Sequence, residues 1–242
     1  MTLIKQYSLF TARFALLPVI SGPFVVSTTS RASAIEWAHI ITGFATLYLI
    51  LFLLLLSAKH PEVRLSAIVA LLLGLLEAVP GVPELHAAIS PVLFATLAWS
   101  VVTLPAAEET ARGKSRRILL LPALVLLPIF FGVGYRHQTS GVVSHLAAAI
   151  PVGGLLLIFC MVLNERHPSR LKLRNACNIT MATVLFQFVF GIGALITGML
   201  DLDSGLLLSI VRTAHITGAA AVLASTAMLA IEYRRSLPFT PE

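Results

Sequence analysis

The chain has 242 residues, 57% of them hydrophobic and only 12% charged, with a mean hydropathy of +0.92. Those figures exclude an ordinary water-soluble domain, in which charged residues make up about a quarter of the chain. The formal net charge of +6 comes with no basic soluble module, which excludes nucleic-acid recognition; the composition is that of an integral membrane protein.

A bilayer core about 30 Å thick takes roughly 20 apolar residues per helix. Eight such segments are predicted, over residues 8–29, 35–57, 65–82, 85–104, 117–135, 142–163, 176–200 and 207–232. The first follows a basic start, Lys5 and Arg13, but no small-residue cleavage site follows it, so it is read as a helix that stays. The second opens on Ile35-Glu36-Trp37-Ala38-His39, a carboxylate and an imidazole three residues apart. The third carries Glu77 and the fifth Pro122 and Pro128, and these two are the shortest of the set.

Basic residues are retained on the cytoplasmic side of a membrane. One alternation of sides puts all of the 17 Lys and Arg on one face except Arg31, Arg136 and Arg212. Both termini are therefore expected in the cytoplasm, with the protein in the cell (inner) membrane. Cys160 and Cys177 fall near the reducing side and are read as packing residues.

The two halves of the sequence resemble each other. His39 leads, one span later, to Lys59-His60-Pro61, and His145 leads to Arg166-His167-Pro168. Gly74 and Gly81 are seven apart, as are Gly191 and Gly198, and a histidine, His86 or His215, opens the next segment. The predicted fold is all-α and polytopic: eight transmembrane helices as two tandem four-helix bundles, 1–110 and 111–242, related by a pseudo-twofold axis along the membrane normal.

Of the seven histidines, His60 and His167 sit beside proline in inner turns, and His137 is expected to be exposed in an outer loop. The other four, His39, His86, His145 and His215, all open even-numbered segments on the outer side. Ionisable residues inside a membrane helix are costly, so they face the bundle interior and carry function. One pair per half, on facing helices, is an arrangement that clamps a metal macrocycle, and imidazole is the commonest axial ligand to haem iron. No Cys, Asp or Glu stands at zinc spacing. Haem propionates need cations, for which Arg212, on the helix face of His215, and the outer-loop Arg31 and Arg136 are candidates. Glu36 lies one turn from His39, where it can accept protons or stabilise developing positive charge. The first half thus pairs its histidines with an acid and the second with a base, which points to a reacting site in the first and a resident cofactor in the second.

At these residues the chain resembles the haem A synthase family, the haem O oxidases of cytochrome oxidase assembly. The likeness rests on Glu36-x-x-His39, on the run from Leu73-Gly74 through Pro80 and Pro83 to His86, on Phe186-Gln187 with Gly191 and Gly198, and on His145 and His215. It covers nearly the whole chain, in a short and divergent form: no outer-loop cysteine pair precedes Glu36, and Ile40 stands where the family usually has arginine.

The resemblance implies a membrane oxidoreductase that oxidises the C8 methyl of haem O to formyl. It implies Glu36 as the catalytic carboxylate, His39 and His86 facing the substrate haem, and His145 with His215 as ligands of a permanent haem b. Haem O synthase and an electron acceptor, a quinone or a redox protein, are the implied partners, and a homo-oligomer stays open. Two other readings of the same histidines are a non-catalytic bis-histidine haem b electron carrier and a haem-free transporter or assembly factor whose histidines bind protons or a metal. Glu77 and Gln187 receive no firm role.

Overall fold

The structure is a computed structural model that describes residues 3–27, 33–79, 82–103, 117–199 and 205–236. Its main elements are helices: α1 (Leu3–Phe14), α2 (Leu16–Ser27), α3 (Ser33–Leu56), α4 (Pro61–Glu77), α5 (Pro83–Thr103), α6 (Leu120–Arg136), α7 (Val142–Arg166), α8 (Leu171–Met199) and α9 (Gly205–Ser236). Short 3₁₀ turns over Ser57–Lys59 and Arg117–Leu119 complete the set among the described residues.

Local sequence sets several of these boundaries. Pro61 begins α4 and Pro83 begins α5, positions where the missing N–H costs nothing because the first helical amides lack intrahelical acceptors. The predicted first segment is one rod broken by a turn at Ala15. Pro18 explains the break: it has no N–H to offer the carbonyl of Phe14 one turn earlier. At the end of α6, Gln138 adopts the left-handed conformation (φ 61°) and the chain turns back into α7. The amides of Thr139 and Ser140 both reach the carbonyl of Gly134, closing that turn tightly.

Among the described residues, six helical stretches are long and apolar enough to cross a membrane: Leu3–Val25, Ala34–Lys59, Pro83–Thr103, Val142–Arg166, Leu171–Met199 and Leu206–Ser236. Helices α4 and α6 occupy the third and fifth predicted segments, with 17 residues each. Large apolar side chains are exposed along the rods, among them Phe44, Leu55, Leu72, Phe130 and Ile158. Apolar surface of that extent is incompatible with water and is what lipid tails cover, so the protein is a membrane-embedded helical bundle.

Packing follows a regular scheme. Helix α4 lies along α5 and α8 along α9; α3 packs on α2 and α4, and α7 on α6 and α8; α5 and α9 meet at the centre. Three apolar clusters result among the described residues: one around Ile50, Leu53, Val63 and Leu97, one around Val125, Leu156, Val184 and Leu223, and a smaller one around Cys160, Leu173 and Leu229. Lipid tails are as apolar as leucine, so close packing and interhelical hydrogen bonds must hold such helices together. Helix α9 presents the buried Ala220, Ala224, Ala227 and Ala230, small enough for neighbouring backbones to come close. Polar links add to this: Tyr7 donates to the Leu49 carbonyl (3.2 Å), Thr183 bonds Ser225 (3.0 Å) and Asn164 bonds Asn178 (3.0 Å). At the opposite ends of α9 and α5 from His215 and His86, Arg235 of α9 donates to the Val102 carbonyl of α5 (2.6 Å) and pairs with Glu232 (2.8 Å). Cys160 and Cys177 are free, fully buried and packed together against Leu173 and Leu229.

Candidate functional site

Each of the four helices α3, α5, α7 and α9 carries a histidine within three turns of its start, His39, His86, His145 and His215, and the fold brings these imidazoles together in two pairs. His39 and His86 have ring centroids 5.7 Å apart and planes at 81°; His145 and His215 are 6.0 Å apart at 90°. Two imidazole Nε2 atoms bonded to one metal at about 2.0 Å each set their ring centroids roughly 6 Å apart. Both pairs match that span.

The Nδ1 side of each ring is already engaged. His86 Nδ1 bonds the Glu77 carbonyl (3.1 Å), His145 Nδ1 that of Pro128 (3.0 Å) and His215 Nδ1 that of Gln187 (3.3 Å). A carbonyl only accepts, so Nδ1 carries the proton and the Nε2 lone pair is left for a ligand. His39 follows the same rule through a hydroxyl: Ser21 Oγ donates to Leu17 O (2.8 Å) and therefore accepts from His39 Nδ1 (3.1 Å), with the Pro18 carbonyl also hydrogen-bonded to the ring.

A common backbone device underlies these bonds. The accepting carbonyls belong to Pro18, Glu77, Pro128 and Gln187, and each is followed four residues later by glycine: Gly22, Gly81, Gly132 and Gly191. Gly81 lies outside the described residues. At the other three, a Cβ would meet the imidazole Cε1 at 2.9 Å (Gly22 on His39), 3.1 Å (Gly132 on His145) and 2.8 Å (Gly191 on His215). This register replaces the expected one. Gly74 packs on Leu47 and Leu93, and Gly198 has open space beside it, so the counterpart of Gly191 is Gly81 and not Gly74. The signal was present in the sequence as Pro-Val-Ile-Ser-Gly against Pro-Ile-Phe-Phe-Gly, and Glu-Ala-Val-Pro-Gly against Gln-Phe-Val-Phe-Gly.

The acidic and basic candidates are distributed unequally. Glu36 is exposed in the first turn of α3. Glu77, which sequence reasoning left without a role, is the carboxylate at the first pair: its side chain is 16% exposed, accepts from the Ser90 hydroxyl and lies 3.8 Å from His86 Nε2. Its counterpart Gln187 holds its amide 3.5 Å from His215 Nε2. Arg136 and Arg212 are close enough to repel one another, Arg136 half-buried and Arg212 exposed. Arg31 lies outside the described residues. His137 is not the exposed loop residue expected from the sequence. Its side chain is 16% exposed and stands 3.9 Å from Glu84, because the tight turn after α6 folds it back onto α5.

A cavity of about 360 Å³ opens beside the first pair, with Glu77, His86, Ser90, Arg136 and His137 on its walls together with Pro18 and Ile216. Residues from both halves of the sequence thus face one space. Among the described residues no three His, Cys, Asp or Glu converge as a metal cluster, so each site offers two imidazoles. That donor set, with cations and an apolar wall nearby, suits a planar metal macrocycle whose other ligands come from itself. The chain matches no protein-family model and no curated protein.

Proposed function

We propose that the protein is a haem-modifying membrane oxidoreductase, similar to haem A synthase, that oxidises the C8 methyl of haem O to the formyl group of haem A. The single observation that carries this reading is the pair of crosswise imidazole couples, with ring centroids 5.7 and 6.0 Å apart and the Nδ1 of each ring engaged by a neighbouring helix. In this reading α4 and α6 also cross the membrane, giving eight spans in two four-helix halves with the termini in the cytoplasm. The matched packing schemes of α3–α5 and α7–α9 support the duplication.

The halves take different tasks. His39 and His86 hold the substrate haem, because the cavity and the buried carboxylate lie on their side and a substrate has to enter and leave. His145 and His215 hold a permanent haem b, whose chemistry is reversible one-electron transfer. Arg136 and Arg212 supply positive charge for propionates, and Arg31 is assigned the same task from the sequence. Converting methyl to formyl replaces two hydrogens by one oxygen; with water as the oxygen donor the balance is R–CH3 + H2O giving R–CHO, four protons and four electrons. It therefore needs an electron acceptor, a quinone or redox protein, and a base. Glu36 is the base implied by the family resemblance, and Glu77 is a second carboxylate in direct reach of His86.

The alternative, an electron carrier with two resident b haems, uses the same four histidines but gives the cavity no task. Extraction and chromatography of the pigments from protein made with a haem O supply separates the two. Haem b together with haem O or haem A is the expected result; haem b alone in every preparation would leave the carrier.

A further inference from the structure

We infer that Gly22, Gly132 and Gly191 are positioning residues that set the rotation of three of the four imidazoles, His39, His145 and His215, and that they do so as a repeated unit of carbonyl at i and glycine at i+4. The inference rests on the haem reading above and extends it to residues that touch no haem.

The argument begins with the helix. A carbonyl at i accepts from the amide at i+4, yet its oxygen has a second lone pair. An imidazole from the neighbouring helix can use that lone pair only where it can slide over the backbone between the two residues. A side chain at i+4 stands in the way. The distances at Gly22, Gly132 and Gly191 are between 2.8 and 3.1 Å from an added Cβ to Cε1, and between 3.1 and 3.5 Å to Nδ1. At Gly22 and Gly191 a methyl group forces the ring to shift, and at Gly132 the ring has to give by a few tenths of an ångström. It tilts away from the carbonyl or rotates about its own axis, and either motion stretches the Nδ1 bond and re-aims Nε2.

The repetition separates this role from ordinary close packing. Gly43, Gly154 and Gly198 have nothing within 4 Å, and Gly153 meets Phe188, so tight contact with histidine is specific to the carbonyl-plus-four positions. Partners that orient a ligand from the far side of a metal typically change affinity by about 10- to 100-fold when lost. The glycines are the condition for those partners to be reached.

The test compares Gly22→Ala, Gly132→Ala and Gly191→Ala with the controls Gly43→Ala and Gly154→Ala. The full-length protein is titrated with haem b and its ferric electron paramagnetic resonance spectrum recorded. Alanine is the better helix former, so folding is not the expected casualty, and the undisturbed pair in each variant reports an intact bundle. Gly132→Ala and Gly191→Ala should weaken haem binding at the second pair by about 10-fold or more and change its spectrum, leaving the first pair untouched. Gly22→Ala should do the converse, and the controls nothing. Wild-type protein that binds haem at both pairs, with all three variants unchanged in affinity and spectrum, overturns the inference. Wild-type protein that binds no haem removes the haem reading itself, and with it the basis of the inference.

Discussion

His145 and His215 meet at right angles, planes 90° apart and centroids separated by 6.0 Å, each turned by a carbonyl from a different helix. Two imidazoles on opposite sides of one iron can lie parallel or crossed, and the choice alters the metal's electronic structure. In this pair the backbone carbonyls hold the rings crossed, which is the arrangement a haem bound as proposed would meet.

Crossed imidazoles donate into different iron orbitals and leave those orbitals close in energy. The ferric low-spin signal of the purified protein should therefore be strongly anisotropic, dominated by one large g value, at both sites. A spectrum with three well-spread g values, as parallel rings give, would contradict the arrangement of His39 with His86 and of His145 with His215.

The two pairs share no ligand, so their losses should be independent. His145→Ala or His215→Ala is expected to remove one haem and spare the other, and His39→Ala or His86→Ala to do the reverse. Pyridine haemochrome content per polypeptide checks this; a single substitution that empties both sites would mean one shared centre.

Glu36 and Glu77 can be told apart by product. Glu36→Gln preserves size and should retain haem while lowering formyl formation by about 100-fold or more, the usual scale of a positioned acid or base. Unchanged haem A production in Glu36→Gln, with loss in Glu77→Gln, would transfer the role to the carboxylate that faces the cavity.

Ser90 gives the Glu77 side chain its hydroxyl partner in a largely buried setting. Ser90→Ala should cost about 1–3 kcal/mol, the penalty for leaving a buried acceptor short of a donor. A lower melting temperature in detergent is the readout, and no change in it would mean that water replaces the hydroxyl.

Much of this was legible from the chain. Hydropathy located the helices, since lipid demands long apolar runs whatever their neighbours. The four histidines His39, His86, His145 and His215 were legible as pairs because an ionisable group in such a run needs a partner. What escaped was set by backbone geometry. The break at Ala15 comes from a proline three residues further on, and the burial of His137 comes from a left-handed Gln138. The role of Glu77 hid behind its main chain: the carbonyl, not the carboxylate, is what its position repeats in Gln187. Gly74 and Gly191 looked equivalent by spacing alone, and only the atoms beside them show one meeting leucine and the other histidine.

The link from Arg235 to the Val102 carbonyl ties α9 to α5 at the end of the bundle away from the cavity. Helix α5 carries His86 of the first pair and α9 carries His215 of the second, so this bond makes the two histidine pairs answer to one shared seam: a shift of either helix at its far end is passed to the other's imidazole.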